Sequence, residues 1–434
     1  MNNQSYEELD RKNFIHPLTH LGKFERGEIP SRIMESANGV LIKDTSGKEY
    51  IDAFAGLYCI NVGYGRKKII DAIKKQVSQL AYYHAYYGNA TEASIKLSDM
   101  IIERAPNNMK KIYFGLTGSD ANETNIKLLW YYNNLIGKTK KKKIIARMGG
   151  YHGAGILTGS LTGLKKYHEN FDLPISGIIH TEAAHYFHRD DLDQDENDFS
   201  IMCGENLEQL IINEGPDTIA GFIAEPVMGN GGLVPPPKNY WPIISNILKK
   251  YEIAFISDEV ITGFGRLGKM FGVEYYNIQA DMITIAKGLT SAYSPLSGSI
   301  ISDKISQVIS DGTDEFGPLM QGSTYSAHPI SCAAGVANLQ LIDDENLIES
   351  GHLIANYFNN KLIEKLEDHP LVGDVRSAGL LSAVEFVKDK KNRNFFDKQG
   401  QFAQKLVTVM SKNGVLARAM PTGDTLGFAP ALCL

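Results

Sequence analysis

The sequence predicts an α/β protein whose central sheet is mainly parallel and covered by helices. Three observations carry this. Short apolar runs alternate with amphipathic stretches through the middle of the chain, which is the signature of strands joined by helical crossovers. Five of those runs end in a polar or titratable group or a glycine turn. The chain has 434 residues and 43% hydrophobic content, enough for a large core and for two or three domains at about 150 residues each.

Taken in order, Ile112 to Leu116 reads as a buried strand, and Ile126, Leu129 and Trp130 then recur at helical spacing. Lys143 to Ala146 and Gly221 to Ala224 read as two further strands. Trp241, Ile244, Ile247, Leu248 and Tyr251 mark one face of a helix. Ile253 to Ser257 and Met282 to Ala286 complete the set. The Lys140 to Lys143 run and the acidic stretch Asp190 to Asp198 read as solvated loops. In parallel sheets, ligands bind beyond the carboxyl ends of the strands. Those ends carry Thr117-Gly118-Ser119, Gly149-Gly150-Tyr151-His152, Glu225, Asp258-Glu259 and Lys287. A purely structural protein has little reason to deliver such groups to one rim five times.

Composition narrows the partners. The formal net charge of -6 argues against nucleic acid, which demands a basic surface. No apolar run is long enough to span a bilayer, and the first residues lack the basic-then-apolar pattern of a secretory signal. Cys59, Cys203, Cys332 and Cys433 are scattered, with no CxxC pair, so the expected compartment is a reducing cytoplasm. His180, His185 and His188 show no convincing metal-ligand spacing, and no metal is expected.

Several residues suggest chemistry. A lysine at the end of a buried strand, as Lys287 is, loses charge on burial and becomes a neutral amine able to form a Schiff base. Taken alone, the Ala-Lys-Gly reads first as a lysine reaching solvent from a sheet edge. Asp258 closes an apolar run and offers a carboxylate to a cofactor, to a helix end or to magnesium. No GxxxxGK[ST] loop accompanies it, which removes support for magnesium. Gly118-Ser119 stands between a strand and a helix, where free N–H groups suit a phosphate. A plain helix cap is the commoner use of Thr117 or Ser119. Tyr151 follows a glycine pair and reads as a stacking ring or as a packed turn residue. His152 reads as a supporting hydrogen-bond partner.

Together the motifs say more. Thr117-Gly118-Ser119-Asp120-Ala121-Asn122-Glu123, Gly150-Tyr151-His152-Gly153, Ala224-Glu225-Pro226, Ser257 to Arg266 (SDEVITGFGR) and Ala286-Lys287-Gly288 occur in one order. From about Gly39 to Ala429 the chain resembles the class III aminotransferases, fold-type I enzymes that use pyridoxal 5'-phosphate (PLP). The resemblance implies that Lys287 is the Schiff-base lysine and the base that moves the substrate proton. Asp258 would pair with the pyridine nitrogen and let the ring accept electrons. Tyr151 and Val260 would sandwich the ring, Gly118 and Ser119 would hold the phosphate, and Glu225 and His152 would join the surrounding network. Thr324 matches the position that reaches the neighbouring subunit's phosphate, which implies a homodimer or a tetramer of dimers. The likeness also implies a large PLP-binding domain at residues 63–330. A smaller α+β domain would combine residues 1–62 and 331–434.

Within that family the chain is most similar to the ω-amino acid and amine:pyruvate enzymes, by Ala55 to Gly65 (AGLYCINVGYG) and Ala417-Arg418-Ala419-Met420. Arg418 matches an arginine that binds the keto acid carboxylate through paired N–H bonds. Tyr58 stands where tryptophan is usual, Tyr86 and Tyr87 replace a phenylalanine pair, and Ser323 replaces phenylalanine. Asn230 stands where the γ-aminobutyrate type has glutamate. These changes add polar groups to the expected pocket, and unmatched buried polar groups are costly. The expected substrates are therefore compact polar amines (taurine, β-alanine or a diamine) with a keto acid, pyruvate first. Alternatives are an aminomutase or decarboxylase on the same fold, a nucleotide-binding protein lacking the usual GxGxxG, or a non-catalytic scaffold.

Overall fold

The computed structural model describes residues 5–434. A seven-stranded sheet forms its centre, built from β1 (Met109–Gly115), β2 (Lys143–Arg147), β3 (Ile178–Thr181), β4 (Ile219–Ala224), β5 (Ala254–Asp258), β6 (Met282–Ile285) and β7 (Ser297–Ser302). Their spatial order is β1-β7-β6-β5-β4-β2-β3. All neighbouring pairs are parallel except those made by β7, which runs antiparallel to both β1 and β6. Every apolar run expected to be a strand is one.

Side chains alternate between the faces of a strand, and the two cores follow that rule. Ile145, Phe222, Phe255 and Ile283 face one apolar cluster, while Ile144, Ile223, Ile256 and Met282 face the other. Helix α1 (Gly118–Leu135) covers the second cluster with Ile126, Leu128 and Leu129. Helix α2 (Tyr240–Lys250) covers the first with Trp241, Ile244 and Leu248. Helix α3 (Pro329–Asp344) joins that first cluster through Cys332, Leu339 and Ile342.

Two four-stranded sheets flank this centre. One contains the strands Met34–Asn38, Leu41–Asp44, Glu49–Asp52 and Val415–Leu416. The other contains Val372–Ala378, Leu381–Phe386, Thr425–Phe428 and Arg418–Ala419. Val415–Leu416 pairs in parallel with Glu49–Asp52, so the two ends of the chain share one sheet.

One loop expectation is corrected. Lys141 is buried, and its Nζ donates to the carbonyls of Tyr251 and Glu252 at 3.2 and 2.8 Å. It satisfies acceptors just past the end of α2, where backbone carbonyls lack helical partners. Lys143 belongs to β2. Among the described residues, no helix is long and apolar enough to cross a membrane.

Candidate active site

The carboxyl ends of the parallel strands open into a cavity of about 320 Å³. Gly118, Ser119, Tyr151 and His152 line it, as do Glu225, Asp258, Val260 and Lys287. Seven of the eight come from the strand ends marked in the sequence, and Val260 follows two residues after Asp258.

Lys287 lies two residues past the end of β6, after Ala286, and adopts φ +40°, a left-handed conformation that is strained for a side chain of this size. The turn is held from below. Asn338, fully buried on α3, donates to the carbonyls of Gly288 and Leu289 at 2.9 and 3.0 Å. Burial lowers the pKa of Lys287, and the guanidinium of Arg418 acts in the same direction. The amine is therefore drawn toward its neutral, nucleophilic form.

Asp258 ends β5 and is 2% exposed. Its Oδ2 accepts from Asn122 Nδ2 at 2.7 Å and from His152 Nδ1 at 2.9 Å. Its Oδ1 accepts the Val260 N–H at 3.1 Å. Three donors hold the carboxylate in one orientation.

Asn122 is fixed in turn. Its second amide hydrogen goes to the His152 carbonyl at 2.8 Å, and its Oδ1 accepts from Thr284 Oγ1 at 2.7 Å. Sequence analysis gave Asn122 no role. The available signal was an amide one turn after Ser119, on the face of α1 that the helix buries.

Helix α1 begins at the cavity. Thr117 is its N-cap and accepts the Asp120 N–H at 3.1 Å, so the capping reading of Thr117 holds. Gly118 and Ser119 are then the first helical residues, and the N–H groups of this turn have no helical acceptor. A Cβ on Gly118 would lie 2.9 Å from Val260 Cγ2, and one on Gly153 would lie 2.4 Å from Ser119 Oγ. This wall has no room for further side-chain atoms.

Glu225 ends β4 and accepts the N–H groups of Tyr151 and Gly229 on Oε1, both at 3.3 Å. Its Oε2 and the Nε2 of His152 are buried without partners. Burial raises the pKa of Glu225. Tyr151 is half-buried and packs edge-on against Tyr167.

The residues expected to bind substrate fall into two groups. Arg418 is half-buried and donates from Nη1 to Asn230 Oδ1 at 2.9 Å. Its guanidinium lies over the rings of Phe54 and Tyr58, 5.7 and 5.9 Å from their centres. Tyr58 is buried beneath it, with its hydroxyl 3.9 Å from Met420 Sδ. The second group is Tyr86, Tyr87 and Ser323, of which the two tyrosines are exposed and Ser323 is half-buried; with Thr324, expected at a cofactor phosphate, they lie away from the cavity lining of their own chain. There Ser323 Oγ bonds Ser326 Oγ at 3.0 Å, and the Thr324 carbonyl accepts from the Tyr82 hydroxyl at 2.6 Å.

Comparison with known proteins agrees with this geometry. The family model "Aminotransferase class-III" matches residues 24–434. The chain belongs to the class III aminotransferases. It is 48% identical to the diaminobutyrate–2-oxoglutarate transaminase of Halomonas elongata, over 98% of this chain and 91% of that one. It is 40% identical to the chloroplastic γ-aminobutyrate transaminase 3 of Solanum lycopersicum, over 93% and 77%. Among solved structures, a transaminase from ancestral reconstruction superposes with TM-score 0.97 at 51% identity, covering 99% of this chain and 94% of that one. The ω-transaminase of Pseudomonas jessenii in complex with PMP superposes with TM-score 0.96 at 37% identity, with the same coverage. The fold is PLP fold-type I, and the chain is a PLP-dependent transaminase.

The cavity fits that cofactor. A helix N-terminus faces the side where Gly118 and Gly153 exclude side chains, which suits a phosphate. Lys287 lies where an aldehyde can be bound. Asp258 offers a carboxylate, and Glu225 Oε2, which has only the Arg147 guanidinium at 3.8 Å, and His152 Nε2 carry no hydrogen bond and leave polar capacity around it.

Proposed function

We propose that this transaminase moves the amino group of a short ω-amino acid or diamine to a 2-keto acid, with PLP held through Lys287. Arg418 carries this reading. It is a cation close enough to act on Lys287, in the same direction as burial, and it is parked on a neutral amide rather than on a carboxylate. An incoming carboxylate offers it two charge-assisted bonds in place of one neutral one. The relatives whose names pair an ω-amine with a carboxylate, diaminobutyrate and γ-aminobutyrate, support the same class. Taurine carries a sulfonate with the same charge. Pyruvate and 2-oxoglutarate both present the required carboxylate. Tyr58 lies beneath Arg418 and supports the guanidinium rather than adding a free hydroxyl to the pocket.

The chain's own groups divide the work. When bound, PLP supplies an electron sink for the pair left as the substrate carbon loses its proton. Lys287 Nζ, whose pKa burial lowers, takes that proton and later returns it. Asp258, fixed by Asn122, His152 and the Val260 N–H, sets a negative charge against the pyridine nitrogen. The α1 N-terminus at Gly118 and Ser119 holds the phosphate. Tyr151 and Val260 bound the ring, and Glu225 joins the network beside it.

Thr324 reaches the phosphate of a second subunit in this reading. The apolar groups around it, with Tyr87 97%, Met320 88% and Phe316 64% exposed, support a surface covered by another copy of the chain. Residues 63–330 form the cofactor-binding unit, and residues 1–62 and 331–434 form the smaller one. Four cysteines without disulfides suit a cytoplasmic setting.

The deciding experiment is the visible spectrum of the purified protein with γ-aminobutyrate, diaminobutyrate, β-alanine, taurine, putrescine and an aryl amine, then with pyruvate or 2-oxoglutarate. Bleaching by a carboxylate-bearing amine or a diamine, with recovery on keto acid, supports the proposal. A strong preference for the aryl amine overturns the substrate class. A chromophore inert to all of them points to mutase or decarboxylase chemistry.

A further inference from the structure

We propose that His185, His188 and Glu385 form a binding site for one divalent transition-metal ion, zinc by ligand chemistry, which ties two parts of the fold together. His185 and His188 lie in the segment after β3, and Glu385 lies on the strand Leu381–Phe386 of a flanking sheet. One ligand atom from each falls within 4.8 Å of the other two. Zinc–nitrogen and zinc–oxygen bonds of about 2.0–2.2 Å place ligand atoms roughly 3.3 Å apart, so a small contraction completes the set.

A second observation concerns His185. It is 7% exposed, and its Nδ1 has no hydrogen-bond partner. Its Nε2 lies 3.6 Å from Glu385 Oε2, too far for a hydrogen bond. An imidazole buried in this way costs free energy unless something occupies it. His188 already bonds Glu385 Oε1 through Nε2. The two rings stack with centres 3.9 Å apart and planes 9° from parallel. A modest rotation of His188, whose side chain is 38% exposed, turns both lone pairs toward one point.

The charges also fit a cation. Arg376 Nη1 bonds Glu385 Oε2 and Asp374 Oδ2, both at 2.7 Å, so one guanidinium offsets one of two carboxylates. With neutral imidazoles, one negative charge remains beside Glu385 Oε1. A cavity of about 550 Å³ borders both histidines and carries Glu182, Asp190 and Asp191 on its wall. It admits the ion and has room for a water as fourth ligand. Arg189 shares that wall, but its guanidinium is stacked on Tyr186, 4.0 Å from the ring centre. Two imidazoles select zinc or its neighbours over magnesium or calcium. The third ligand lies 197 residues from His188, so no local spacing in the sequence displays the set.

The test is calorimetric titration of the chelator-stripped, PLP-loaded protein with ZnCl2 and, separately, with MgCl2. The wild type is compared with His188→Gln and His185→Gln. His188→Gln is the safer variant, because its half-exposed amide still donates to Glu385. The expected result is one zinc per chain, no magnesium heat, and at least about tenfold weaker zinc binding in each variant. Zinc at 100 times the wild-type Kd should raise the Tm of the wild type by about 3 °C and that of His188→Gln by about half as much or less. No stoichiometric zinc in the wild type overturns the proposal. So does a loss of less than tenfold in His188→Gln, which would assign the binding to other groups.

Discussion

Asp258→Asn isolates the charge of the cofactor carboxylate from its shape. The native Oδ2 faces two donors and Oδ1 faces one. An amide nitrogen at Oδ2 would confront both Asn122 and His152, so the substituted side chain places it at Oδ1. It then opposes the Val260 N–H and keeps the other two bonds. The folded protein loses one hydrogen bond and gains one donor–donor contact, about 1–3 kcal/mol. The catalytic loss is larger. Removing one partner of a buried charge pair costs about 3–5 kcal/mol, which is roughly two to nearly four powers of ten in rate. The assay is the single-turnover amine half-reaction, followed by loss of visible absorbance, with PLP content and Tm measured on the same samples. A fully loaded Asp258→Asn protein within tenfold of the wild-type rate would refute the role of the charge.

Three further outcomes follow from the geometry. Gly118→Ala places a methyl group 2.9 Å from Val260 Cγ2, and such overpacking costs about 1–3 kcal/mol; fluorescence titration of the apo-protein should show PLP affinity falling about tenfold or more, and unchanged affinity would dismiss the tight wall. Asn230→Asp sets a carboxylate where the amide accepts from Arg418 at 2.9 Å, so the KM for the keto acid should rise about tenfold while that for putrescine changes little; equal shifts would count against Arg418 as the carboxylate group. Glu259 is buried and its pKa is pushed up to about 7, although Thr262 and the N–H groups of Gly272 and Val273 oppose the rise. The folded state then binds the proton more tightly than the unfolded chain, whose Glu titrates near 4.3, so its stability contribution is full below about pH 4 and is lost as pH rises through about 7. Urea midpoints from pH 5 to 8 should fall more steeply for the wild type than for Glu259→Gln, by up to about 3 kcal/mol, and parallel slopes would refute the assignment.

The site was readable where chemistry follows directly from a strand end. Parallel strands release their last residues on one side, so Glu225, Asp258 and Lys287 could be placed together without knowing the strand order. Residues that act from inside an element gave no such signal. Asn122 and Asn338 face inward from helices, and only the packing of α1 and α3 shows that they brace Asp258 and the Lys287 turn. Tyr58 was readable as near the substrate but not as buried. Ala55, Leu57 and Tyr58 all have positive φ, and this turn carries the ring under Arg418. His185 and His188 show no metal-ligand spacing in the sequence, and Glu385, which meets them, comes from a flanking sheet.

The loop Gly229–Gly232 connects these observations. Asn230 holds Arg418, the Gly231 carbonyl accepts from Thr422 Oγ1 at 2.9 Å, and the Gly232 carbonyl accepts from Arg376 Nη2 at 2.7 Å. All three donors belong to the strand Val372–Ala378 or to residues 418–422, beside the flanking sheet. A carboxylate that draws Arg418 off Asn230 breaks one of these bonds and leaves two. The arginine can therefore swing without releasing the loop that positions it. Arg376 also grips Glu385, so the same clasp that steadies the loop is anchored at the histidine pair. Rigidity at the back of the loop and mobility at Arg418 are then complementary. On the proposed role of Arg418, a fixed Asn230 would give the guanidinium one defined resting place, from which a substrate carboxylate would recruit it.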